Sequence, residues 1–94
     1  MFNHTEIIND IVLEENVINS YKYIRLQNAG VLFNLAETVI ESKRYVYAAT
    51  ESDDGEPSDD IRIVLIKGNI ANQVTDVDLL INVLFPVFKK MIND

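Results

Sequence analysis

Six carboxylates fall within ten residues at Glu51, Asp53, Asp54, Glu56, Asp59 and Asp60, with Gly55 and Pro57 between them. Such a run has three chemical uses: holding a hard cation, acid–base work, or presenting charge to a basic surface. The first needs ligands in register. A calcium loop with its invariant glycine at Gly55 would start at Thr50 and end at Ile61, neither of which suits its position. The second needs two carboxyls facing one space, whereas neighbours such as Asp59 and Asp60 point to opposite faces of a strand. The third asks only for density, because closely spaced charges steer a cationic partner together.

Other chemistry is poorly supplied. His4 is the sole histidine, and there is no cysteine. The serines at 20, 42, 52 and 58 lack the glycine-framed setting that exposes a nucleophile. Gly30, Gly55 and Gly68 lie too far apart for a phosphate-cradling loop. A non-enzymatic protein with no metal or other cofactor is expected. With eight Lys and Arg against fifteen Asp and Glu in the chain, packing is a better use for Tyr21, Tyr23, Tyr45 and Tyr47 than base stacking.

The heptapeptide Ser52-Asp53-Asp54-Gly55-Glu56-Pro57-Ser58 resembles the DDGEPS segment of the IMPACT/YigZ family. The likeness covers these seven positions. The glycine- and threonine-containing continuation is replaced here by Asp59-Asp60-Ile61, and no role is carried over from it.

The elements flanking the acidic run must position it. Arg44–Thr50 alternates, with Tyr45, Tyr47 and Ala49 on one face and Val46, Ala48 and Thr50 on the other. Ile61–Lys67 puts Ile61, Ile63 and Leu65 together, with Val64 and Ile66 opposite. Period-two aromatic and β-branched residues predict strands, and an antiparallel hairpin joined by the Glu51–Asp60 loop is the economical arrangement. Thr5 to about Asn19 reads as an amphipathic helix, with Ile7, Ile8, Ile11, Val12, Val17 and Ile18 on one stripe. A second helix is expected from about Ser20 to Ser42. The alternative there is a short strand at Tyr21–Leu26 followed by a shorter helix. Thr75 and Asp78 approximate a capping box for a final helix running to about Met91, in which Pro86 should produce a kink.

The expected fold is thus α+β over residues 1–94 as one domain: two N-terminal helices, the hairpin with its long acidic loop, and a C-terminal helix. Ile63, Leu65, Leu84 and Phe88 should be core. Leu79, Val83, Phe85 and Ile92 widen the last helix's apolar surface beyond one packed face, which predicts a homo-oligomer contact there.

The chain has 94 residues, a formal charge of −7 and 48% hydrophobic content. That balance disfavours direct binding to nucleic acid or an anionic membrane, each of which needs a basic footprint. The N-terminus lacks the basic-then-apolar pattern of a signal peptide, so a cytoplasmic location is the expectation. Richness in Ile and Asn fits an AT-rich genome, such as that of a low-GC bacterium or its phages. Together these features predict a small acidic interaction protein. Its partner would be a protein with a basic, nucleic-acid-binding surface, occupied in the manner of a phage-type inhibitor or an immunity protein. The other reading is a structural or assembly subunit joined to copies of itself.

Overall fold

The computed structural model describes residues 9–18, 20–27 and 30–93. Six antiparallel strands close into a barrel in simple sequence order: β1 (Asn9–Ile18), β2 (Tyr21–Leu26), β3 (Gly30–Ile40), β4 (Lys43–Glu51), β5 (Pro57–Lys67) and β6 (Ile70–Gln73). Closure is made where Asn9–Ile11 pairs with Ile70–Asn72. A C-terminal helix follows in three continuous pieces: α1 (Val77–Leu79), a π-helical turn (Leu80–Leu84) and α2 (Phe85–Asn93).

The expectation of two N-terminal helices is overturned. Asn9–Ile18 is a strand, and Tyr21–Ile40 is two strands. Thr5, Glu6, Ile7 and Ile8 of the first expected helix lie outside the described residues. The runner-up strand at Tyr21–Leu26 is present, but a strand follows it rather than a helix. β-bulges explain the misreading. In β1 the register shifts between Val12 and Glu14, and in β3 between Asn34 and Ala36. Each bulge inserts a residue and reverses the in–out phase partway along the strand. In β3 the apolar residues therefore fall at 32, 33, 35, 36, 39 and 40, which imitates a helical stripe.

The hairpin between β4 and β5 is present, with Arg44 opposite Ile66, Val46 opposite Val64 and Ala48 opposite Arg62. Its loop is shorter than expected. Asp59 and Asp60 belong to β5, Glu51 ends β4, and only Ser52–Glu56 remain as the turn. Ile70–Gln73, which reads as a connection in the sequence, is the closing strand.

Alternation divides the apolar residues between two cores. Ile24, Leu26, Leu32, Val46, Ala48, Val64, Ile66 and Ala71 fill the barrel, with Val12 packed against them. The opposite faces of β3, β4 and β5 meet the helix in a second cluster around Tyr45, Ile63, Leu84 and Phe88. Leu84 and Phe88 are wholly buried, Ile63 is nearly so, and Leu65 is half-buried. Tyr47 leans on Phe88 with ring centroids 5.4 Å apart.

The helix is capped by Asp76, whose carboxylate accepts a hydrogen bond from Leu79 N–H at 3.2 Å. Pro86 sits just beyond a widened turn, closed by the bond from Phe85 N–H to Leu80 O. An α-helix advances about 40° beyond a full circle every four residues. A π turn falls short of it, so the two segments in series keep Leu80, Leu84 and Phe88 in line over the barrel. None of the helices among the described residues is long and apolar enough to cross a membrane.

Candidate functional site: an acidic hairpin tip

The turn joining β4 to β5 is built by its own polar groups. Ser52 N–H donates to Glu56 O at 2.8 Å and Gly55 N–H to Ser52 O at 3.0 Å. Asp54 N–H donates to Ser52 Oγ at 3.3 Å. Gly55 takes φ +80°, the left-handed region that an L side chain resists. Just below, the hydroxyls of Thr50 and Ser58 share a hydrogen bond of 2.7 Å across the two strands. Asp60 N–H donates to Ser58 Oγ at 3.1 Å. The tip is thus a hydrogen-bonded turn closed by the Glu51–Pro57 pair rather than a slack decapeptide, with Ser58, Asp59 and Asp60 bulged opposite Thr50 before the ladder resumes at Ala49–Ile61.

All six predicted carboxylates, Glu51, Asp53, Asp54, Glu56, Asp59 and Asp60, are exposed. They are not equivalent. Asp60 forks onto Arg62, at 3.2 Å to Nε and 2.9 Å to Nη2, and the guanidinium also reaches Gln73 Oε1 at 3.2 Å. The hydrogen bond from Arg62 holds the Asp60 carboxyl below its ordinary range. The other five have no cationic partner among the described residues. Six carboxylates against one guanidinium leave this hairpin end carrying −5 of the chain's −7. Past β6, Val74 N–H donates to Ile63 O, so the chain leaves toward this same end before reaching Asp76 and Asp78.

The opposite barrel mouth carries an ion-pair network that sequence reasoning missed. Arg44 donates from Nη2 to Glu15 Oε1 at 2.8 Å, from Nη1 to Glu15 Oε2 at 3.1 Å, and from Nη2 to Glu37 Oε1 at 2.9 Å. Asn34 Nδ2 donates to the same Glu37 oxygen at 2.8 Å. Hydrogen bonds from Arg44 hold both carboxyls below their ordinary range, and Glu15 and then Glu37 raise the guanidinium. No sequence signal brings these residues together, since they sit on three different strands.

The four residues expected at an oligomer contact separate in the structure. Leu79 and Val83 are half-buried against the second core, whereas Phe85 and Ile92 are 45% and 48% exposed. These two, with Tyr47, Ile81, Pro86 and Lys89, line an open and largely apolar groove of about 550 Å³ beside the helix. The tyrosines pack: Tyr23 and Tyr45 are buried, and Tyr21 meets Phe33 edge-on at 5.8 Å. Among the described residues, no group of three or more His, Cys, Asp or Glu is gathered closely enough to hold a metal ion. No family model, curated protein or solved structure matches the chain.

Proposed function

We propose that this protein is a binding module without catalysis, which engages the basic surface of a partner protein through the β4–β5 tip. One observation carries the reading. Five of the seven net charges sit on a hydrogen-bonded hairpin end, and five of its six carboxylates lack a cationic partner among the described residues. A charge set held on a hydrogen-bonded turn loses less conformational freedom on docking than one on a slack loop, and it steers a cationic surface from a distance. A surface that normally holds DNA or RNA is the best match, because it is lined by Lys and Arg spaced for successive phosphates.

The test compares the wild-type protein with a variant carrying Asp53→Asn, Asp54→Ser, Asp59→Asn and Asp60→Ser. Both are immobilised and exposed to extract of the source organism over a salt series, with and without competing duplex DNA. The wild type should retain a basic protein that leaves as salt rises and is displaced by DNA. The variant should keep its melting temperature and retain that protein about tenfold more weakly. Equal capture by both at low salt would make the tip an ordinary solvated turn.

A further inference from the structure

Beyond that charge-directed contact, the C-terminal helix covers the barrel with one face and leaves the other bare. Leu79, Leu80, Val83, Leu84 and Phe88 turn to the second core. On the outer side Val77 and Ile81 are 62% and 58% exposed, and Phe85 follows them at the same spacing of four. Ile81, Phe85, Lys89 and Ile92 all line the groove beside the helix, so the stripe stays on one face through the π turn. Tyr47 of β4 lines that groove as well. A contiguous apolar stripe of this kind on so small a chain marks an interface.

The charges at its two ends identify the partner. Asp76 and Asp78 stand at the start of the helix and Lys89 and Lys90 near its end. None of the four has an ion-pair partner among the described residues. Within one copy they cannot meet, because a helix rises about 16 Å between Asp78 and Lys89. A second copy of the helix lying antiparallel serves both ends at once, and it also opposes the two macrodipoles favourably.

We infer that this face is a homodimer interface, in which the helix packs antiparallel on the same helix of a second copy about a two-fold axis midway between Ile81 and Phe85. Ile81 of each copy then lies against Phe85 of the other. The Lys89–Lys90 end of each lies beside Asp76 and Asp78 of the other. The contact is isologous, as a two-fold axis requires, and residues four apart supply the ridge that each helix offers. Leu79 and Val83, which the sequence places at an oligomer contact, are spent on the second core, and Val77 and Ile81 take their place. A single helix pair is smaller than the usual stable interface, so dissociation in the range of about tens of micromolar is expected. At a few micromolar the single chain prevails.

Sedimentation equilibrium from about 5 to 500 µM, with light scattering, tests the inference. The wild-type mass should climb from 10.7 kDa to twice that value. Ile81→Lys changes an exposed side chain, and should hold the single-chain mass throughout while keeping its melting curve at low concentration. Asp78→Lys and Lys89→Glu should each weaken self-association about tenfold. Mixed in equal amounts, those two variants should pair as well as the wild type, because each then meets the opposite charge at both ends. A wild type that stays at the single-chain mass overturns the proposal, even if the groove accepts an apolar peptide or a fatty acid. A dimer indifferent to Ile81→Lys overturns it as well and moves the contact off this helix. Single charge variants that associate as the wild type does, or a mixture that restores nothing, overturn the antiparallel arrangement on which it rests.

Discussion

Arg44 on β4 grips Glu15 on β1, 29 positions away in the chain, with two hydrogen bonds of 2.8 and 3.1 Å, and the same guanidinium reaches Glu37 on β3. The contact ties the first strand to the middle of the sheet across a barrel mouth. It also makes stability depend on pH. Both carboxyls are held below their ordinary range in the folded chain. They bind protons less readily folded than unfolded, so their contribution is complete above about pH 4.3 and is lost as pH falls through the lowered values. All three side chains are partly solvated, and screening limits the contribution to about 1 kcal/mol. Urea denaturation of Arg44→Gln should therefore show a deficit of about that size at pH 7 that shrinks progressively as pH falls below about 4.3. A deficit that does not change with pH would assign Arg44 a packing role instead.

The second core rests on the helix, and Leu84 is at its centre with no exposed surface. Leu84→Ala removes buried methyl groups from a site walled by strand backbones, which cannot collapse to fill the space. The expected loss is about 2–5 kcal/mol in unfolding free energy. Ile81→Ala, one turn earlier on the exposed face, should cost well under about 1 kcal/mol. Similar losses for the two would mean that the helix does not pack on the barrel through Leu84 and Phe88.

The turn that presents the carboxylates depends on Gly55. Its φ of +80° is strained for any L side chain, although a Cβ there would meet only Glu51 Oε2, at 3.8 Å. Gly55→Ala should cost about 1–2 kcal/mol through backbone strain rather than collision. Chemical-shift changes should be confined to Thr50–Ser58. Changes spreading to β1 and β6 would show that the tip helps to set the barrel's register.

The sequence was legible where alternation ran unbroken. Tyr45, Tyr47 and Ala49 do lie on one face of β4, with Val46 and Ala48 on the other, and Ile61, Ile63 and Leu65 do share a face of β5. The C-terminal helix was legible too, because Leu80, Leu84 and Phe88 recur at helical spacing, although its cap is Asp76 rather than the expected Thr75. The N-terminal half was not. Bulges at Val12/Glu14 and Asn34/Ala36 put the alternation out of phase, and a strand's stability comes from partners distant in sequence. Within the candidate site, the carboxylates were visible as a run. The division between the Arg62-paired Asp60 and the other five was not, because it depends on which strand face each occupies.

The missed β3–β4 turn leads to a last expectation. Glu41 and Ser42 connect Ile40 to Lys43 with φ of +53° and +66°, the two left-handed positions of a tight hairpin turn. Asn-Gly or Asp-Gly usually marks that geometry, since each L residue lacking a suitable side chain pays backbone strain there. Glu-Ser gives no such mark, which is why this stretch reads as the end of a helix. The strain is still present and can be relieved. Glu41→Asn with Ser42→Gly should stabilise the protein by about 1 kcal/mol, observed as a higher urea midpoint with an unchanged slope. The gain should appear mainly as slower unfolding if this hairpin closes late in folding, and as faster folding if it closes early. A destabilised variant would mean that the Ile40–Lys43 connection is not the tight turn described.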